Sequence, residues 1–358
     1  MKKHKQIQVF MILILPVFCL SQEYGTGNVR LNDIQVIGSH NSYKIGIETP
    51  LWEYLFQLDS SMAKSLQYEH IPLTQQLDLG LRNLELDVFH DPQGGHYSNP
   101  KGLDIVELSG EKFLPFDREK KLKKPGLKVF HVQDIDFRSH QLLFQEALQE
   151  LLGWSNKNPE HTPIFITLNT KDGKIPQLKD PLVFDADALE NLDKEIKTVL
   201  PNEKLITPDL VKGDEESLKE AILGDGWPSL DKVKGRFLFI LDESESRCNI
   251  YLDKFPGLKN AALFINTGEE SAEAAFLILN DPVGDFDKIQ NLVSKGFMVR
   301  TRADSGTVEA RNNDYTRFEK AKTSGAQIIT TDYYLPSKLF ESHYKVDFGM
   351  GKFERIKE

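Results

Sequence analysis

Short apolar segments typical of β-strands alternate with amphipathic segments of helical spacing along this chain. Strands are predicted at 34–38, 81–88, 127–132, 164–168, 236–241, 261–265, 297–301 and 326–330, and helices lie between most of them, at 61–79, 141–152, 187–199, 286–295 and 315–323. Alternating β and α units form parallel sheets. Eight such units in about 330 residues predict an α/β fold of the (β/α)8 TIM-barrel type, with a doubly wound open sheet as the alternative.

The first 21 residues have the pattern of a secretory signal peptide. Three lysines lie within the first five residues, 9–18 is an apolar run too short to span a bilayer comfortably, and Ser21 precedes a polar residue. A bulky residue precedes Cys19, where a lipoprotein signal has a small one, so no lipid anchor is expected. The prediction is that 1–21 is cleaved, that the protein is secreted or periplasmic, and that 22–358 forms one barrel domain.

The chain is acidic, with 54 Asp and Glu residues against 44 Lys and Arg residues and a formal net charge of −10. This charge argues against nucleic acid as a partner and against polybasic attachment to anionic lipid. Cleavage of 1–21 leaves Cys248 as the single cysteine, so the core must stabilise the fold without an intramolecular disulfide. We assign no role to Cys248, and the sequence indicates no protein partner.

Two carboxylates share one face of the predicted strand 81–88. Leu84, Leu86 and Val88 alternate there with Glu85 and Asp87, and alternate residues of a strand point to the same face. The apolar flanks predict burial, and two neighbouring buried carboxylates repel each other and are poorly solvated. A hard cation, Ca²⁺ or Mg²⁺, would resolve both problems. An edge strand with its polar face in water is the alternative.

Further polar residues follow the ends of the predicted strands, which meet at one face of a barrel. They are His40 and Asn41 after the first strand, His131 at the end of the third, Asn169 after the fourth, Arg300 and Arg302 at a later one, and Tyr333 after the last. A single histidine at such a place is more often structural than catalytic. Two histidines at different strand ends, with an amide and two carboxylates between them, form a rarer combination that favours catalysis.

Two motifs resemble the catalytic half of phosphoinositide-specific phospholipase C: IGSHNSY at 37–43 and LGLRNLELDV at 79–88. The segments HVQDID at 131–136, RTRAD at 300–304 and GAQIITTDYY at 325–334 are similar to the secreted, bacterial, calcium-dependent branch of that family. The resemblance covers 34–334. It implies a distorted (β/α)8 barrel, which agrees with the alternation of elements.

The resemblance also implies roles for the matching residues. His40 resembles the general base that takes the proton of the inositol 2-hydroxyl, and His131 the general acid that protonates the departing glycerol oxygen. Asn41, Glu85 and Asp87 resemble ligands of Ca²⁺. The implied substrate is phosphatidylinositol or a related inositol phosphodiester, cleaved through an inositol 1,2-cyclic phosphate in peripheral contact with a membrane surface. Imidazoles suit both proton transfers because they titrate near neutral pH.

Two features depart from the family pattern. The eukaryotic members carry a further carboxylate ligand where Asn169 aligns, and an amide oxygen ligates Ca²⁺ with less charge. The second histidine of the family normally follows the Glu-x-Asp strand closely, whereas His131 is distant, so 90–125 is predicted to be an inserted segment. His90 and His96 lie within that segment and are the competing general acids. We prefer His131 because it ends an apolar segment.

Arg300 and Arg302 lie two residues apart, hence on one face of a strand end, where they can bind a phosphate bidentately. An ordinary surface salt-bridge pair is the alternative. Tyr333 is a candidate to stack under a sugar-like ring, and a core aromatic is the alternative.

Two other functions stay open. A glycerophosphodiester phosphodiesterase shares the barrel, the first histidine and a Glu-x-Asp metal pair, but usually has His-Arg where this chain has His40-Asn41. A non-catalytic secreted barrel that binds sugar phosphates is the third possibility, and the presence of both histidines and both carboxylates disfavours it.

Overall fold

The computed structural model describes residues 29–110, 115–224 and 226–357. The predicted signal peptide and Cys19 lie outside the described residues. None of the helices within these ranges combines the length and hydrophobicity needed to cross a membrane.

The strands of the described chain are β1 (Ile34–Ser39), β2 (Asn83–Phe89), β3 (Lys128–Val129), β4 (Ile164–Thr170), β5 (Phe237–Leu241), β6 (Leu263–Ile265), β7 (Phe276–Ile278), β8 (Met298–Arg302), β9 (Ile328–Thr331) and β10 (Glu354–Ile356). The α-helices of the same ranges are α1 (Thr49–Leu58), α2 (Ser60–Ser65), α3 (Leu73–Leu79), α4 (Gly102–Leu108), α5 (Phe144–Lys157), α6 (Ala186–Val199), α7 (Pro208–Lys212), α8 (Leu218–Leu223), α9 (Leu230–Val233), α10 (Glu245–Lys254), α11 (Phe286–Ser294), α12 (Val308–Asn312) and α13 (Thr316–Thr323).

Eight parallel strands form a nearly closed barrel. Their order is β6-β5-β4-β2-β1-β9-β8-β7, and every neighbouring pair in this order is parallel. A parallel bridge between Asn266 and Phe276 connects the two ends of the series, next to β6 and β7. The predicted distorted (β/α)8 barrel is therefore confirmed, and the doubly wound open sheet is excluded.

One predicted barrel strand was wrong. The segment 127–132 contains only the two residues of β3, which pair antiparallel with the end of β2 and lie off the barrel series. His131 therefore lies in a loop beyond β3 and does not end a barrel strand. The missing barrel strand is β7, a three-residue strand for which no prediction was made. The predicted insertion 90–125 is largely irregular but contains α4.

The central strand β2 divides its side chains between two environments. All seven of its residues are buried, because β1 and β4 pair with it on either side. Leu84, Leu86 and Val88 belong to the main apolar cluster, which also contains Leu148 of α5 and other helix residues. The alternation of the strand leaves Glu85 and Asp87 on the opposite face, inside the barrel mouth. The alternative of an exposed edge strand is therefore wrong.

Candidate active site

Two hydrogen bonds of Ser42 connect the loop after β1 to the backbone of β2. Ser42 N donates to the carbonyl of Glu85 at 2.9 Å, and Glu85 N donates to Ser42 Oγ at 2.8 Å. A Cβ atom at Gly38 would lie 2.4 Å from a side-chain atom of β2, so only glycine permits this approach. Asn41 has a left-handed backbone with φ of 49°. These features hold His40 and Asn41 beside the carboxylates of β2.

His40 lies between two carboxylates and a guanidinium. Its Nδ1 atom is 2.8 Å from Asp332 Oδ1 and 3.3 Å from Arg302 Nη2, and its Nε2 atom is 3.6 Å from Glu85 Oε1. Burial and the charge of Arg302 lower the pKa of His40 well below its ordinary value. The imidazole is therefore neutral near pH 7, as a general base must be. An Nδ1–H donated to Asp332 leaves Nε2 able to accept a proton.

His131 has a carboxylate partner of its own. Its Nδ1 atom is 2.7 Å from Asp136 Oδ2, because the tight loop between them returns Asp136 to the ring. The other carboxylate oxygen of Asp136 is 3.2 Å from Lys44 Nζ, which is fully buried. Burial opposes ionisation of Asp136, but the charge of Lys44 and the hydrogen bond from His131 outweigh it and lower its pKa. Asp136 is therefore ionised and stabilises a positive charge on His131.

Tyr68 connects the two histidines. Its ring centroid is 5.8 Å from that of His40 and 6.5 Å from that of His131. Its hydroxyl accepts a hydrogen bond from Asn41 Nδ2 at 2.7 Å. The predicted base and acid thus lie near the same buried aromatic ring, within one site.

The competing histidines make other contacts. His96 Nε2 is 2.8 Å from the backbone carbonyl of Asp180, and His90 packs edge-on against Phe184. In the described part of the chain, neither forms a hydrogen bond, ion pair or ring contact with His40, Tyr68 or the carboxylates of β2. This arrangement favours His131 over both.

The two carboxylates of β2 are each matched by a cation. Glu85 forms an ion pair with Arg300 and also accepts a hydrogen bond from Asn169 Nδ2 at 3.2 Å. Asp87 Oδ2 is 2.9 Å from Lys171 Nζ. Only 3% of Glu85 and 1% of Asp87 is exposed. These contacts compensate the two buried negative charges.

Arg300 extends across the mouth to a third carboxylate. Its Nη1 atom donates to Asn280 Oδ1 at 2.6 Å and lies 3.6 Å from Asp242 Oδ2. Burial raises the pKa of Asp242 to about 6, against the opposing charge of Arg300. Arg300 is itself 2% exposed, so its guanidinium neutralises an acidic interior rather than a surface.

The oxygen atoms at the mouth suit a hard cation. Asn41 contributes an amide oxygen, which accepts from Tyr43 at 3.2 Å, and neither carboxylate oxygen of Asp87 accepts a hydrogen bond of good geometry. Carboxylate and amide oxygens are the ligands that Ca²⁺ prefers. In the described ranges no group of three or more His, Cys, Asp or Glu side chains is placed to hold a metal ion, so a calcium site here also needs amide oxygens. The predicted set with Asn169 meets this need.

The model of one protein family, calcium-dependent phosphoinositide phospholipase C, matches residues 29–357. The chain belongs to this family. The resemblance seen in the motifs is therefore confirmed. The family's members are phosphoric diester hydrolases. The calcium dependence is given in the family's name.

Solved phospholipase C structures have the same fold. A calcium-dependent phosphoinositol-specific phospholipase C from Pseudomonas sp. is 16% identical, with a TM-score of 0.56 over 92% of this chain and 96% of that one. The calcium-dependent phosphatidylinositol-specific phospholipase C of Streptomyces antibioticus is also 16% identical, with a TM-score of 0.55 over 87% and 97%. At this identity the likeness establishes the fold alone. A comparison with curated proteins finds no match.

The three residues predicted to bind substrate in this member of the phospholipase C family differ in their surroundings. Arg300 and Arg302 share the inner face of β8, as their spacing predicts, and both contact acidic side chains. Tyr333 is 2% exposed and packs against Phe340 and Tyr344 in an apolar cluster. Stacking of Tyr333 on a sugar-like ring stays a prediction.

A cavity of about 360 Å³ adjoins the His40–Asp332 pair. Its lining includes Asp332, His70, Ile71 and Tyr334, with polar and apolar groups mixed. The volume is within the range of small-molecule sites. The cavity meets the phospholipase C mouth only through Asp332, because neither His40 nor the carboxylates of β2 line it.

Sequence reasoning missed several of the residues that complete this site. They are Tyr68, Asp136, Lys171, Asp242 and Asp332. Asp242 and Asp332 each directly follow a barrel strand, a position that marks candidates in such folds. Lys171 has the same signal after β4, and Asp136 has the weaker signal of lying five residues after His131. Tyr68 has none.

We predict that the pKa of His40 rises when Arg302 loses its charge. The variant Arg302→Met removes a positive charge 3.3 Å from Nδ1 that opposes protonation of the imidazole. The His40 pKa, measured by NMR titration, should move upward toward its ordinary value of 6.5, and the acid limb of the kcat/KM profile should move with it. Arg82→Met, at the opposite end of β2, is the matched control. A His40 pKa that stays or falls in Arg302→Met contradicts the account.

Proposed function

We propose that this chain is a calcium-dependent phosphodiesterase that cleaves phosphatidylinositol or a related inositol phosphodiester. The observation that carries the proposal is the pair of histidines within one site, of which His40 lies 3.6 Å from Glu85 of β2. Each histidine has its own carboxylate partner, and both lie against Tyr68. Such a pair can take a proton on one side of a phosphate and give one on the other.

His40 is the general base in this proposal. Its lowered pKa keeps it neutral, so Nε2 accepts the proton of the inositol 2-hydroxyl as that oxygen attacks phosphorus. Asp332 at Nδ1 then stabilises the imidazolium that forms. Arg302 contacts both groups and fixes the orientation of the His40 ring relative to Asp332.

His131 is the general acid. A protonated ring is stabilised by Asp136, which Lys44 keeps ionised in a buried environment. His131 donates its proton to the glycerol oxygen as the bond from phosphorus to that oxygen breaks. The products are a cyclic inositol phosphate and diacylglycerol, and a neutral His131 and a protonated His40 remain.

Positively charged groups at the mouth would bind the phosphate, and the oxygen atoms there would hold the metal ion. Arg300 and Arg302 are the proposed phosphate contacts. Asn41, Glu85, Asp87 and Asn169 would hold Ca²⁺, which when bound neutralises charge on the phosphoryl oxygens and eases ionisation of the attacking hydroxyl.

The substrate's own hydroxyl is the favoured nucleophile. A 2-hydroxyl bound beside the 1-phosphate needs no further entropy loss to reach phosphorus, unlike a free water molecule. A lipid substrate also requires peripheral contact with a membrane surface. We place this activity outside the cell or in the periplasm, in line with the signal pattern of the first 21 residues.

We predict inositol 1,2-cyclic phosphate as the first product from phosphatidylinositol. Phosphorus NMR at early times should show the cyclic diester before any inositol 1-phosphate. The 2-deoxy or 2-O-methyl substrate should bind without turnover, because it has no internal nucleophile. Direct release of the monoester, or rapid cleavage of the 2-deoxy substrate, would indicate attack by water and the glycerophosphodiesterase alternative.

The proton donor can be tested through the leaving group. His131→Ala should lower kcat for phosphatidylinositol by about 10²–10⁴-fold, because the glycerol alkoxide needs a proton to depart. An inositol aryl phosphodiester, whose phenolate leaves without one, should be affected far less. His90→Ala and His96→Ala serve as controls and should behave as wild type with both substrates. If His131→Ala cleaves phosphatidylinositol normally while one control variant does not, the acid role belongs to that control residue.

A further inference from the structure

Three neighbouring strands place polar side chains at the same level of the barrel mouth. Asp87 of β2 is paired in register with Asn169 of β4. Leu168 is paired with Leu241 of β5, and Asp242 N donates to the carbonyl of Leu168 at 2.9 Å, so the residue level with Asn169 is Asp242. Residues level with each other on paired strands point to the same face. Asp242 therefore faces the mouth one strand beyond Asn169.

One guanidinium connects Asp242 with the carboxylates of β2. Arg300 pairs with Glu85 through Nη2 and lies 3.6 Å from Asp242 Oδ2 through Nη1. Both carboxylates are thus within reach of a single planar cation. The side chain of Asp242 is 16% exposed, so it belongs to the interior of the mouth and not to its rim.

The oxygen set at Asn41, Glu85, Asp87 and Asn169 has two negative charges. Calcium affinity in oxygen sites rises with the number of charged ligands. Asp242 is the carboxylate next in register to Asn169, and it would add a third negative charge to this set. We propose that Asp242 supplies this third carboxylate, and that Arg300 occupies the cation position between Glu85 and Asp242 until Ca²⁺ enters. This inference rests on the proposed function.

The position of Arg300 explains the present spacing of the acidic groups. No three of them are placed to hold a metal ion within the described ranges, and the Arg300 guanidinium lies between Glu85 and Asp242. Exchange of one cation for another keeps the buried carboxylates compensated throughout. Arg300 retains Asn280 as a hydrogen-bond partner after such an exchange and is then available to a substrate phosphate.

Calcium titration of the whole protein by calorimetry, without substrate, tests the inference. Asp242→Asn should weaken Ca²⁺ binding by about tenfold or more, since one ligand charge is lost. Glu243→Gln is the matched control, because that neighbouring carboxylate accepts hydrogen bonds from Thr170 N and Oγ1 at 2.6 Å. Its Ca²⁺ affinity should stay near that of wild type. In the double variant Asn169→Asp with Asp242→Asn, the carboxylate at the neighbouring strand should restore binding.

A second variant, expected to raise the Ca²⁺ affinity, distinguishes the loss of a ligand from misfolding. Arg300→Met removes the competing cation, so it should bind Ca²⁺ more tightly than wild type, a gain that a damaged fold cannot produce. If Asp242 serves only to hold Arg300, Asp242→Asn should bind Ca²⁺ with wild-type affinity. That result would overturn the inference and leave the proposed function intact. A wild-type protein that does not bind Ca²⁺ at all would overturn both.

Discussion

The compensation of buried negative charge at the barrel mouth is the constraint on which the rest of the site depends. Glu85 and Asp87 lie on a strand whose every residue is buried. An isolated carboxylate in such a place is destabilised by several kcal/mol, so each must have a cation or donors nearby. Arg300 of β8 and Lys171, directly after β4, meet this need. The acidic pair thereby links strands on both sides of the barrel.

The groups proposed to transfer protons are also held by buried charged partners. His40 and Asp332 come from the ends of β1 and β9, adjacent strands of the barrel. His131 comes from the segment after β3, which lies off the barrel series. The buried contact between Lys44 and Asp136 fixes that segment to the loop after β1, and so brings the second histidine to the first. An element outside the barrel repeat thus contributes a residue that the repeat itself does not supply.

Local sequence patterns predicted the positions of most barrel strands and the inward face of β2. Seven of the eight predicted strands are barrel strands, because a strand between two others is an apolar run that the sequence shows directly. The inward position of Glu85 and Asp87 follows from alternation within a single strand. The segment 127–132 shows the same apolar character, but its two strand residues pair antiparallel with the end of β2, and periodicity does not separate these two cases.

The partners of the site were harder to predict because they are distant in the chain. Asp332 is 292 residues from His40, and Arg300 is 215 residues from Glu85. No spacing rule relates such residues before the strand order is known. Their position after strands was visible, but many polar residues share it. Tyr68 lies in a connection between helices, where an aromatic residue is read by default as part of the core.

We propose that the acidic mouth of this barrel uses calcium to cleave an inositol phosphodiester. The most direct measurement is the release of water-soluble inositol phosphate from phosphatidylinositol vesicles by the purified protein, as free Ca²⁺ is varied with a chelator buffer. We expect a saturable rise of the rate with Ca²⁺ and negligible release in excess chelator. Full activity in excess chelator, or no release at saturating Ca²⁺, would contradict it.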